Sequence, residues 1–115
     1  MDYRELFANV AKRPRMYGLD GSDAAAVAFV SGVQAATSGL ALTGFREWLQ
    51  VRLGEVSSLA FDALVARTGQ DLFGCLDEFL AVRDSGHGLE SIYDAYLELL
   101  RSEGLYDSHR QRWPE

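Results

Sequence analysis

Cysteine and histidine are scarce in this sequence, and their scarcity excludes two common ways of stabilising a small protein. The 115 residues include one cysteine, Cys75, and two histidines, His87 and His109. A single thiol cannot form an internal disulfide framework. Neither histidine has a second histidine or cysteine at ligand spacing, so we predict no metal site. We expect Cys75, which lies among leucine and phenylalanine residues, to be a buried and unreactive thiol.

Long apolar runs are missing as well. The longest mainly apolar stretch covers residues 24–36, contains Ser31 and Gln34, and is too short to span a bilayer. The first residues are acidic and helix-forming, so they do not resemble a secretory signal, which is basic and then apolar. We therefore expect a cytoplasmic protein without a membrane partner.

The sequence contains no recognised catalytic signature. It lacks the G-x-S-x-G motif of a nucleophilic serine, and its stretches GLDGS and SGHG lack the spacing and the lysine of a phosphate-binding loop. We predict a non-enzymatic protein that needs no cofactor. An enzyme with an unrecognised carboxylate site is a weaker hypothesis.

Negative charge is concentrated in the second half of the chain. Residues 1–54 carry six basic and five acidic side chains, whereas residues 55–103 carry three basic and ten acidic ones, a net charge of −7. Such a field repels nucleic acid and accelerates the approach of basic partners. We therefore predict a basic protein partner and no nucleic acid partner.

Apolar residues recur with the helical period along nearly the whole chain, and no segment fits a strand better. The pattern predicts an all-α protein: a single domain of about six helices over residues 1–104, packed as an irregular bundle, and a loosely docked tail over residues 105–115. The second helix is apolar nearly all round, so we expect it to be the central one. The predicted helices cover approximately residues 2–12, 24–37, 44–53, 57–68, 71–84 and 89–103. The first five are expected to be capped in turn by Asp2, Ser22 or Asp23, Thr43, Ser57 or Ser58, and Asp71. Trp48 lies on the apolar face of the third helix, so we expect it to be buried.

The stretch KRPRMYG, residues 12–18, separates the first two helices. Pro14 predicts that helix 1 ends at Arg13 and that the chain then runs extended. Met16 and Tyr17 are expected to fold back onto the core as a staple between the helices. The alternative is a binding loop, which makes Arg13, Arg15 and Tyr17 a second candidate binding patch.

Carboxylates repeat every four residues along helix 6, which places them on one edge of that helix. Like charges at this spacing each cost a helix about 0.2–0.5 kcal/mol. The edge is therefore either a solvated face or a docking surface for a basic partner, where binding offsets this cost. The candidate partner-binding residues are Glu90, Asp94 and Glu98 on helix 6, Asp77 and Glu78 on helix 5, and Tyr93 as an aromatic anchor.

Three stretches of the first half also resemble a known family. LFANVAKRPRMYG, FVSGVQAA and FREWLQVRLG are similar to a largely uncharacterised family of small bacterial proteins with an R-P-x-M-Y element, and these in turn resemble the immunity proteins of polymorphic toxin systems. Many members have glycine where this chain has Arg15. The resemblance implies a binding protein and supplies no catalytic residues.

Two hypotheses of function follow. The leading one is an immunity or antitoxin-type protein whose acidic half occludes a basic partner such as a toxin domain. The alternative is a small regulatory or scaffold protein, which could form a homodimer, with no toxin partner.

Overall fold

A computed structural model describes residues 2–105 of the chain. Within these residues the chain forms six α-helices and one 3₁₀ helix, without any β-strand. The prediction of an all-α bundle of about six helices is confirmed. Of the predicted tail, residues 106–115 lie outside the described residues, and Leu105 is about half exposed. The elements are α1 (Tyr3–Lys12), the 3₁₀ helix (Pro14–Tyr17), α2 (Asp23–Ala36), α3 (Phe45–Leu53), α4 (Phe61–Thr68), α5 (Leu72–Arg83) and α6 (Gly88–Ser102).

Three helices begin with the side-chain caps that their sequences predict. Asp2 accepts a hydrogen bond from the backbone N–H of Glu5, and Ser22 accepts one from that of Ala25. At the start of α5, the carboxylate of Asp71 accepts a hydrogen bond from the backbone N–H of Gly74 at 3.1 Å. Each cap satisfies one of the N–H groups that a helix start leaves without an intrahelical partner.

Helices α3 and α4 begin later than predicted. The expected cap Thr43 donates its hydroxyl to the carbonyl of Gly39 instead, and α3 follows Gly44, whose φ of 90° is left-handed. A β-carbon at Gly44 would lie 2.8 Å from the terminal methyl of Leu89, which can shift, so it is the left-handed backbone that favours glycine here.

The predicted start of α4 at Ser57 or Ser58 is also wrong, because backbone groups there bind side chains of α3. The N–H of Ser57 donates to Gln50 Oε1 at 2.8 Å, and the Ser57 carbonyl accepts from Arg46 at 2.9 Å. Arg46 also donates to the carbonyl of Leu59 at 2.8 Å. These bonds hold the segment before Phe61 as a loop.

The segment after Pro14 is a 3₁₀ helix, which corrects the extended chain predicted there. Arg13 has the non-helical backbone expected of a residue before proline, so α1 does end as predicted. Beyond it, however, the N–H of Met16 donates to the carbonyl of Arg13, and that of Leu19 donates to the carbonyl of Pro14. Proline tolerates this geometry because its fixed φ suits the first turn of a helix.

The central helix is α5, and the prediction that α2 is central is wrong. Helix α5 packs against α1, α2, α3, α4 and α6. Only Val30 of α2 is buried. Burial follows the apolar area that each side chain offers, and the alanines of α2 offer little of it. The buried residues of α5 are larger and are Leu72, Cys75, Leu76, Phe79 and Leu80.

Candidate functional site

Helix α6 carries three exposed carboxylates on its outer face: Glu90, Asp94 and Glu98. We call these three residues the acidic edge. At about 100° per residue they span an arc of about 80° around the helix axis. Ile92 and Leu100, which are 4% and 5% exposed, lie on the side of α6 that faces the core. The amphipathic spacing of α6 therefore turns the acidic edge toward solvent.

Basic side chains compensate only part of the charge of the acidic edge. Glu98 forms an ion pair with Arg101, one turn further along α6. Glu90 Oε2 lies 3.7 Å from Nδ1 of His87, which is charged only when the imidazole is protonated. Asp94 has no ion pair within the part of the chain that the structure describes. With His87 neutral, the edge and Arg101 together carry a net charge of −2.

Asp77 and Glu78 do not join the acidic edge as free carboxylates. Asp77 accepts two hydrogen bonds from the guanidinium of Arg4 on α1, at 2.8 and 3.3 Å. The hydrogen bond to Arg4 lowers the pKa of Asp77. Glu78 lies 2.6 Å from Arg52 on α3. Both carboxylates thus connect α5 to a neighbouring helix, which spacing along α5 alone could not reveal.

An apolar groove runs beside the acidic edge, between α3, the end of α5 and α6. Its volume is about 170 Å³, and it is lined by Trp48, Val51, Val82, Ser91, Ile92 and Ala95. We call it the α3/α6 groove. Asp94 and Glu98 follow Ser91 and Ala95 by three residues, the spacing of direct neighbours on a helix surface. The acidic edge therefore borders the groove.

Trp48 is the largest side chain of the groove. The prediction that Trp48 is buried holds only in part, since its side chain packs on the core and also lines the groove. The guanidinium of Arg52 lies 5.1 Å from the centre of the ring. The spacing along α3 places Trp48 on the apolar face of that helix and does not reveal the groove, because the groove forms only where α3, α5 and α6 meet. Val82, which also lines it, is 42% exposed.

Tyr93 lies on the other flank of the acidic edge. Its ring is partly buried, and burial, followed by the nearby Glu47 carboxylate, raises the pKa of its phenol. With Arg46, Glu47 and Phe61 it lines a separate recess near the start of α3. The structure therefore places Tyr93 away from the α3/α6 groove.

The second candidate patch lies on the 3₁₀ helix and its approach. Arg13 and Arg15 are exposed, as is Tyr17, which is 39% exposed. The prediction that Met16 staples the helices is wrong, because its side chain is 73% exposed. Tyr17 does contact the bundle, with its ring centre 6.1 Å from that of Phe29.

Groups that would indicate metal or thiol chemistry are not assembled in residues 2–105. No three His, Cys, Asp or Glu side chains there are grouped to hold a metal ion. Cys75 is buried beside Thr68, 3.6 Å from its hydroxyl, and burial raises the pKa of the thiol. His109 lies outside the described residues. No helix in this range has the length and apolar character needed to cross a bilayer.

Comparison of the chain with protein-family models, with curated proteins and with solved structures finds no match. The resemblance to immunity proteins therefore stays a prediction.

Proposed function

We propose that this chain is a cytoplasmic, non-enzymatic protein that binds a basic protein partner, in the manner of an immunity or antitoxin protein. The observation that carries the proposal is that the exposed carboxylates of the acidic edge lie next to the α3/α6 groove on α6, where Asp94 and Glu98 follow the groove residues Ser91 and Ala95 by three residues. Charge and apolar surface thus meet on one face of the bundle.

This combination suits protein recognition because interfaces have an apolar centre and a polar rim. The α3/α6 groove, at about 170 Å³, accommodates a single apolar side chain of a partner. Half-buried Trp48 lies at its base, and tryptophan is among the residues that contribute most to binding energy. The carboxylates of the acidic edge would then meet basic residues that flank the inserted side chain.

The charge of the chain supports the same class of partner. Residues 55–103 carry a net charge of −7, which steers a basic protein toward this half of the molecule. Nuclease toxins are basic because their substrate is a polyanion, so an acidic inhibitor can cover their binding surface. The R-P-x-M-Y resemblance points to immunity proteins independently of this charge argument.

The experiment is affinity capture from an extract of the source organism, at low and high salt. The bait proteins are the parent chain, a triple variant with Glu90, Asp94 and Glu98 changed to lysine, and a control with Glu5 changed to lysine. Glu5 is an exposed carboxylate on α1, away from the acidic edge. We expect the parent and the control to capture one basic protein, which the triple variant loses and which high salt releases.

A second step distinguishes immunity from other binding. The captured protein should be toxic when expressed alone and tolerated when expressed with this chain. If the triple variant captures the same proteins as the parent, the acidic edge is only a solvated face. If the parent captures only further copies of itself, the homodimeric regulatory or scaffold protein replaces the present proposal.

A further inference from the structure

A larger cavity lies on other elements of the bundle. Its volume is about 330 Å³, and it is bordered by α1, the segment around Pro14, α2, α4 and α5. None of the acidic-edge residues lines it. This volume is at the lower end of the range for ligand-binding pockets. Its walls are mainly apolar and include Val10, Val27, Val65, Leu72 and Phe73.

Three carboxylates stand at the cavity, those of Asp23, Asp62 and Asp71. All three are exposed, and none forms an ion pair within residues 2–105. No lysine or arginine of the described residues lines the cavity. Four other carboxylates, those of Asp77, Glu78, Asp84 and Glu98, each have an arginine partner. The carboxylates at this cavity are therefore available to a cation from outside the chain.

The starts of α2, α4 and α5 reduce this negative charge without cancelling it. Asp23 and Asp62 lie in the first turns of α2 and α4, and Asp71 caps α5. The amino end of a helix acts like about half a positive charge. Three such ends against three carboxylates leave a net charge of about −1.5. The charge at the cavity therefore favours a cation.

We propose that this cavity binds the side chain of an arginine carried by a protein partner. Its three methylene groups would lie against the apolar walls, and its guanidinium would meet the carboxylates of Asp23 and Asp62. Arginine suits the site better than lysine because a guanidinium is less strongly hydrated and has five donors to share between carboxylates. This inference goes beyond the function proposed above and does not depend on the acidic edge.

The test is an NMR titration of the full ¹⁵N-labelled chain with N-acetyl-arginine amide. Three comparison probes test the parts of the arginine side chain separately. The citrulline analogue has a similar shape without the charge, and the lysine analogue has the charge on a different head group. Guanidinium chloride supplies the head group without the methylene chain. For the arginine probe we expect a Kd of about 1–10 mM, typical of so small a ligand. Amide shifts should cluster at residues 22–27, 62–66 and 70–73. The other three probes should bind at least about fivefold more weakly.

Two variants and a matched control locate the site. Asp62→Asn should weaken binding of the arginine probe by about fivefold, as loss of one exposed ion pair does. Ala66→Leu should block it by filling the cavity, since Ala66 lines the cavity yet is exposed. Asp94→Asn removes the same charge from the acidic edge and should leave binding unchanged. Far-UV circular dichroism checks that each variant is folded.

Several results would overturn the proposal. Equal binding of the citrulline and arginine analogues would exclude charge recognition, and equal binding of lysine would exclude the assignment to arginine. Equal effects of Asp62→Asn and Asp94→Asn, or shifts that cluster on α6, would exclude this cavity as the site. None of these results bears on partner capture by the acidic edge, so the two proposals fail separately.

Discussion

Replacing Gln50 with leucine should lower the free energy of unfolding by about 3 kcal/mol. Gln50 is the one polar residue among the fully buried large side chains of residues 2–105. Its Oε1 accepts from the N–H of Ser57 at 2.8 Å and from the hydroxyl of Tyr96 at 3.3 Å, and its Nε2 donates to the carbonyl of Arg46 at 3.2 Å. One side chain thus ties α3 to both the loop before α4 and α6.

The magnitude follows from these contacts. The hydrogen bonds to Tyr96 and Arg46 are lost at about 1 kcal/mol each, and the N–H of Ser57 is left without its acceptor in a partly buried position, which costs about 1–3 kcal/mol. The leucine side chain regains about 1–2 kcal/mol of unfolding free energy, because burial of its apolar surface is favourable. The net loss of about 3 kcal/mol corresponds to a fall in Tm of about 10 °C for a chain of this size.

Urea unfolding followed by far-UV circular dichroism measures the effect. The midpoint should fall while the m-value stays constant, because the same surface is exposed on unfolding. Gln70→Leu is the matched control: it makes the same chemical change at an exposed residue, whose amide makes two long hydrogen bonds, to Glu78 at 3.4 Å and from Cys75 at 3.7 Å, and it should lower the free energy of unfolding by no more than about 1 kcal/mol. If Gln50→Leu costs no more than this control, the hydrogen bonds of Gln50 do not stabilise the fold.

Four further predictions test other contacts. Arg83→Met should lower the free energy of unfolding, measured in urea, by about 2–4 kcal/mol. The Arg83 guanidinium donates to the carbonyls of residues 40, 41 and 43, and its side chain is only 9% exposed. An unchanged free energy of unfolding would contradict this role. Trp48→Ala should lower the free energy of unfolding by about 2 kcal/mol, because Trp48 is only partly buried. Truncation of a fully buried aromatic side chain lowers it by about 3–5 kcal/mol. Cys75 should resist alkylation in the native protein and react once urea unfolds it, since it is fully buried; rapid native labelling would refute its burial. Arg4 lowers the pKa of Asp77 in the folded state. Asp77 therefore stabilises the fold at pH values above its unfolded pKa, and this contribution is lost as the pH falls through the folded pKa. Asp77→Asn should flatten the acid side of the plot of unfolding free energy against pH.

Local chemistry determined the secondary structure of this protein. The 3.6-residue spacing of apolar side chains predicted six helices. Asp2, Asp71 and the pair Ser22 and Asp23 predicted where three of them start, and Ser22 is the cap of α2 in the structure. These signals act within one helical turn, so they do not depend on the rest of the fold. The same spacing placed Glu90, Asp94 and Glu98 on one edge of α6, although only the structure shows that this edge faces solvent.

Only the tertiary structure decided which residues meet across helices. The start of α4 was wrong because Gln50 and Arg46 bind the backbone of its predicted first turn. Asp77 was assigned to a docking surface, although Arg4, 73 residues away in the chain, pairs with it. Neither the α3/α6 groove nor the cavity with three carboxylates is encoded in a single element, because each is the space left between side chains of several helices. Spacing within a helix specifies which face a residue occupies, whereas the partner of that face depends on how the helices pack.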